Sequence, residues 1–319
     1  MNGFSFLFIT ALVLMTALEL WLSLRQSRHV SAHRDKVPDA FKEQISTEDH
    51  QKAANYTVAK GKLNRLDGVL GMVVLSLWTF GGGLVVLSGF WQSFGWSDIT
   101  AGVFFILSFF ILSSVIDLPL SWYRTFVLEA DFGFNKVSGG LFFSDLVKQT
   151  ILMVLIGAPL LWGVLWLMES TGQYWWLYLW AAWIGFTLLM MWAYPAFIAP
   201  LFNQFSPLED AALKTRVEGL LSRCGFKSQG IFVMDGSRRS GHGNAYFTGL
   251  GSNKRIVFFD TLLKTLNDEQ IEAVLAHELG HFKRKHVLKN MGVMAVLSLV
   301  SLALLGWVIT EPWFYAGLG

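Results

Sequence analysis

The sequence predicts an all-α polytopic membrane protein with six transmembrane helices and one small α+β region outside the lipid. Three observations carry that expectation. Hydrophobic residues make up 53% of the 319-residue chain and charged residues 15%, a balance foreign to soluble domains. Six apolar runs approach the ~20 helical residues needed to cross a bilayer. The connections between those runs alternate between basic and non-basic, as the positive-inside rule demands.

The runs fall at residues 4–24, 68–91, 101–122, 150–168, 175–191 and 287–309. The first lacks a basic leading segment and a small-residue cleavage site, so it reads as a retained span. The connection 25–65 is rich in Lys and Arg, 92–100 has neither, 123–149 carries Arg124, Lys136 and Lys148, and 169–174 again has neither. Residues 201–286 are basic and the tail after Ile309 is not. The N-terminus is therefore expected outside, with the basic connections and residues 201–286 in the cytoplasm. The expected layout is a five-span region over residues 1–200, a cytoplasmic region over 201–286, and a sixth span with a tail over 287–319. One cysteine, Cys224, excludes an internal disulfide framework.

Within residues 201–286, Gly230–Met234 and Arg255–Phe259 read as short buried strands. Asn244-Ala245-Tyr246-Phe247, bounded by Gly243 and Gly249, reads as an edge strand. A helix is expected from Asn267, with Gln270 completing a capping box. It passes through His281 and is expected to run, with or without a kink, into the last span.

That helix carries His277-Glu278-Leu279-Gly280-His281. Imidazoles four residues apart lie on one helical face, one turn apart, where both can reach a single Zn²⁺. Glu278 beside them can take a proton from a water whose acidity the ion raises, and pass it to a leaving amine. The pattern points to a zinc-dependent endopeptidase with His277 and His281 as metal ligands and Glu278 as catalytic base.

A catalytic zinc usually takes three protein ligands, and the residues leave the third open. Glu269 and Glu272 stand earlier on the same helix and cannot close around the ion. Glu311 follows a span, roughly 30 Å away. His29, His33 and His50 lie in the basic first connection, and His242 stands near the strands. His286, nine positions after His277, falls on the opposite side of a continuous helix and reads as interfacial. Outside the motif, Glu129 and Asp131 are expected to pair with Arg124. Lys283, Arg284 and Lys285 read as an anchor at the inner surface rather than a nucleic-acid site.

Four motifs in order resemble the membrane metallopeptidases of family M48, in the CAAX prenyl protease 1 (Ste24-type) branch. They are Leu128-Glu129-Ala130-Asp131-Phe132-Gly133-Phe134-Asn135-Lys136, Pro200-Leu201-Phe202-Asn203 with Pro207-Leu208, the stretch from Ser240 to Gly249, and His277 to His281. The HtpX-like branch shares the last two but is less similar, because five spans precede the peptidase region here. The resemblance implies helices around a large chamber, zinc on His277 and His281, and Asn244, Ala245 and Tyr246 on an edge strand that pairs with an extended substrate. It also implies peptide or protein substrates, lipid-modified ones among them, because eukaryotic members cleave prenylated CAAX termini.

The family pattern continues with a seventh span and a Glu ligand in a Glu-x-x-x-Asp context. By that comparison the third ligand lies beyond Gly319 and the chain reads as C-terminally truncated. A catalytically incomplete membrane scaffold or quality-control binding protein is the alternative reading. The short connections suggest a bacterial inner membrane, with the site facing the cytoplasm.

Overall fold

The computed structural model describes residues 1–226, 228–249 and 254–318. The expected third ligand beyond Gly319 therefore lies outside the described residues. In chain order the helices begin with α1 (Gly3–His33), α2 (Thr47–Trp78), α3 (Gly83–Gln92) and α4 (Asp98–Tyr123). A wide turn, Arg124–Leu128, joins α4 to α5 (Glu129–Asp131), and α6 (Gly139–Ser170) and α7 (Trp175–Ala193) follow. A second wide turn, Tyr194–Ile198, leads to α8 (Ala199–Phe202). Beyond it come β1 (Phe205–Pro207), α9 (Ala211–Cys224), β2 (Gly230–Met234), β3 (Ala245–Thr248) and β4 (Arg255–Phe259). The chain closes with α10 (Asp260–Thr265), α11 (Asp268–Lys283), α12 (His286–Val308) and α13 (Pro312–Gly317).

Five helical stretches are long and apolar enough to span a membrane, and α2 with α3 makes a sixth if that pair, bent by 50°, is one span. The bend has a local cause. Gly82 caps α3 in the left-handed region at φ 77°, and a Cβ on Gly81 would stand 2.6 Å from the Leu77 carbonyl oxygen. Only glycine suits both positions.

Packing divides the chain into two units, one of residues 1–133, 152–166 and 307–319, the other of residues 134–151 and 167–306. In the first, Arg65 on α2 donates to Ser23 and Ser27 of α1 at 2.9 and 3.0 Å. The expected pairing of Arg124 with Glu129 or Asp131 is not what forms. Arg124 instead bonds Asp67 at 2.9 Å, while Glu129 accepts from the Tyr56 hydroxyl at 2.6 Å. These polar groups come from positions far apart in sequence, which neighbour reasoning along one helix misses.

The second unit holds a four-stranded sheet in the order β1-β2-β4-β3. The strands β2 and β4 run parallel over Gly230–Met234 and Arg255–Phe259, as expected for two apolar runs joined by a crossover. The short edge strand β1 was not expected. Pro207 at its end has no N–H to give, which an edge tolerates. Helices α9 and α11 pack together and close a core in which Phe258, Ile256, Leu279 and Val217 are almost wholly buried.

Candidate metal and peptide-binding site

Helix α11 is built to expose its histidines. Asn267 caps it and Gln270 returns the capping-box bond, satisfying two otherwise orphaned N–H groups. Ile271, Leu275 and Leu279, four residues apart, form its buried stripe. His277 stands two residues beyond Leu275, about 200° around the helix, and is exposed. His281 follows one turn later and is half-buried, as is Glu278. Glu272 is engaged elsewhere, in a 2.8 Å ion pair with Arg223 of α9.

The Nε2 atoms of His277 and His281 stand 3.2 Å apart, with the rings inclined at 72°. Two nitrogens about 2.0–2.1 Å from a tetrahedral zinc are separated by roughly 3.3 Å. The separation is of the size that two nitrogens sharing a divalent ion would show. Among the described residues no group of three or more His, Cys, Asp or Glu side chains converges as a complete metal cage.

The other candidate histidines are placed elsewhere. The His29 and His33 rings lie 4.3 Å apart between centroids, tilted at 34°, and His50 Nε2 lies 3.2 Å from the His33 carbonyl. The His242 ring stacks on Phe134 at 4.1 Å and 21°. Here the Phe134-Asn135 segment meets the 240s loop, through the Asn135–Ser240 bridge and the Gly241 N–H bond to Phe134 O at 2.8 Å. Arg239 braces the same corner with two bonds to Asp145, at 2.8 and 3.0 Å, and one to Asn203 at 3.0 Å.

His286 makes a contact that a straight helix would not allow. The passage from α11 into the last span is sharply broken. Lys285 adopts φ 54°, α11 stops at Lys283, and α12 starts at His286. The break brings the His286 ring against His281, with its Nδ1 2.9 Å from Nδ1 of His281. A left-handed lysine carries no sequence signal, since glycine is the usual occupant of that conformation.

Beside α11 lies β3, which pairs antiparallel with β4 on one side and forms the edge of the sheet on the other. The register places Ala245 opposite Phe258 and Tyr246 opposite Val257. The Phe259 N–H bonds the Asn244 carbonyl, so Asn244 and Tyr246 turn their main-chain groups toward β4. By the alternation of an antiparallel ladder, Ala245 and Phe247 turn theirs to the open edge. Phe247, expected on the edge strand but not among the substrate-pairing residues, thus shares the open edge with Ala245. The Asn244 side chain holds the Ala245 N–H at 2.9 Å. Burial, with Tyr194 nearby, pushes the Tyr246 phenol above its ordinary range. A largely apolar recess of about 500 Å³ adjoins β3, lined by Trp183, Met190, Met191, Tyr194, Phe247 and Val287 among others.

With this geometry in hand, comparison with known proteins gives a consistent result. Residues 26–204 match the model described as CAAX prenyl protease N-terminal, five membrane helices. Residues 207–312 match that of peptidase family M48. A CAAX prenyl protease 1 homolog of Arabidopsis thaliana is 35% identical over 298 residues, covering 90% of this chain and 69% of that one. The Caenorhabditis elegans homolog is 32% identical over 344 residues, covering 99% and 77%. The crystal structure of S. mikatae Ste24p superposes with a TM-score of 0.92 at 30% identity, covering all of this chain and 75% of that one.

Proposed function

Because this chain belongs to the M48 peptidase family, in its CAAX prenyl protease 1 branch, we propose that it is a zinc endopeptidase in which His277 and His281 hold the ion and Glu278 is the general base. The fold and family make it a multi-pass membrane protease acting on peptide or protein substrates. The metal, the residue roles and the class of substrate are our reading. The observation that carries it is the 3.2 Å separation of the two Nε2 atoms on an exposed helical face beside a sheet edge.

Zinc held there supplies a Lewis acid and a water acidic enough to ionise near neutral pH. The chain's own groups do the rest. Main-chain groups of Ala245 and Phe247 hold the peptide extended along β3, with Asn244 and Tyr246 setting the strand's register on β4. The Glu278 carboxylate takes a proton from the attacking water and delivers it to the leaving amine nitrogen as the C–N bond breaks. The recess beside β3 suits an apolar side chain or a prenyl group on a CAAX-type substrate. The distribution of Lys and Arg supports a cytoplasm-facing site on residues 201–286, between a five-span region (1–200) and a last span (287–319), and the short connections favour a bacterial inner membrane.

Glu278→Gln in the protein purified in detergent is expected to lower cleavage of a prenylated peptide by roughly 10²–10⁴-fold with zinc content unchanged. Undiminished cleavage would overturn the reading. The competing reading is a catalytically incomplete membrane scaffold, favoured by the absence of a third converging ligand among the described residues. Stoichiometric zinc in the purified protein excludes it, and sub-stoichiometric zinc supports it.

A further inference from the structure

We infer that His286 is a positioning residue for the metal site, fixing the tautomer and orientation of His281; the inference rests on the zinc reading above. An imidazole that offers Nε2 to a metal keeps its proton on Nδ1, and that N–H needs an acceptor to hold the ring in place. In His281 the two nitrogens are already assigned different neighbours. Nε2 lies 3.2 Å from the His277 Nε2 and Nδ1 lies 2.9 Å from the His286 Nδ1. The His281 and His286 rings stand at 77° with centroids 4.9 Å apart, an edge contact rather than a stack.

The same geometry argues against His286 as the missing ligand. The lone-pair directions of the two nitrogens of one imidazole diverge across the ring. An ion between the facing Nε2 atoms of His277 and His281 therefore lies on the far side of the His281 ring from His286. His286 instead accepts the His281 Nδ1–H, which requires its own proton to sit on Nε2.

The backbone is shaped for this contact. Had α11 continued straight, His286 would point about 180° away from His277. The left-handed Lys285 ends α11 and restarts the chain with His286 as the first residue of α12. Residues other than glycine rarely adopt that conformation. The contact it permits is the one that orders a candidate ligand.

The test uses the full chain in detergent, with Zn²⁺ alone as the probe and affinity read by competition with a chromophoric chelator. We expect His286→Ala to weaken zinc binding by roughly 10–100-fold. His286→Asn, whose side-chain oxygen can accept from His281 Nδ1, is expected to recover most of that loss. His286→Leu, of similar bulk and without an acceptor, is expected to bind as weakly as the alanine variant. Parent-like affinity in the alanine variant would overturn the inference, and so would equal weakening in the asparagine and leucine variants. If the parent chain itself bound no zinc, the metal reading would fall first, and the two failures are thereby distinguished. Comparing Asn with Leu keeps the test decisive even if the alanine variant folds poorly.

Discussion

In the sheet-bearing region Phe258 is 0% exposed and Ile256 and Leu279 are each 1% exposed, whereas α6 and α12 bury no residue at all and Leu155 on α6 is 65% exposed. The two regions are matched to different solvents. The sheet and its helices gather apolar side chains away from water, so their cohesion is hydrophobic and local. The spans offer their Leu, Phe and Trp outward, where lipid tails are as apolar as any protein interior. The spanning unit keeps a sparser interior, with buried residues such as Leu63 and Leu107, an aromatic cluster of Trp91, Trp96 and Phe104, and polar contacts such as Arg65–Ser23–Ser27 and Arg124–Asp67. The candidate histidines stand where the two regimes meet, on a helix with a water-type buried stripe that is followed directly by a lipid-type span.

The largest effect that tests this contrast comes from truncating a large apolar side chain in each regime. Phe258→Ala should cost about 3–5 kcal/mol and collapse hydrogen-exchange protection across β4 in detergent-solubilised protein. Leu155→Ala should change protection of α6 by less than about 0.5 kcal/mol. Comparable losses at both positions would erase the distinction.

A smaller effect is expected at Asp260, the first residue of α10. Burial alone would raise its pKa, but hydrogen bonds from the Ser237 hydroxyl and N–H and from Lys264 outweigh it and hold the carboxyl below its ordinary value. A folded pKa below the unfolded one, about 3.9, means the stabilisation is complete above that value. It is lost as pH falls through the folded pKa. Asp260→Asn should therefore destabilise the sheet region by roughly 1.5–3 kcal/mol at neutral pH, and the gap from the parent should close on acidification. A gap independent of pH would show that the carboxylate's charge is not what matters.

The smallest effect concerns the metal helix. Asn267→Ala removes the cap of α11 and should cost about 1 kcal/mol, read as faster exchange of the Gln270 amide and its neighbours. No change in that first turn would mean tertiary packing alone sets the helix start.

Much of this was legible in the sequence. The six apolar runs, strands Gly230–Met234 and Arg255–Phe259, and the capped start of α11 all correspond to observed elements. Each carries a dense local signal: long hydrophobic runs, β-branched and aromatic residues, or an Asn–Gln capping box. What escaped depended on positions distant in the chain or on backbone exceptions. Asp67 lies 57 residues from Arg124. The strand Phe205–Pro207 is three residues long and contains a proline. In the proposed site, the His277–His281 juxtaposition followed from spacing, while the His286 contact required knowing that a lysine adopts a glycine's conformation.

The break at Lys285 also bears on mechanics. A single unbroken rod from the peptidase region into the bilayer would act as a lever, passing every tilt of the last span to the histidine pair as torque. Here the ladder is interrupted, with Lys285 bonding back to Phe282 and α12 opening on the Lys289 bond to Lys285. Bending at that joint strains fewer hydrogen bonds than bending mid-helix, so the last span can adjust to bilayers of different thickness while the imidazole spacing is kept.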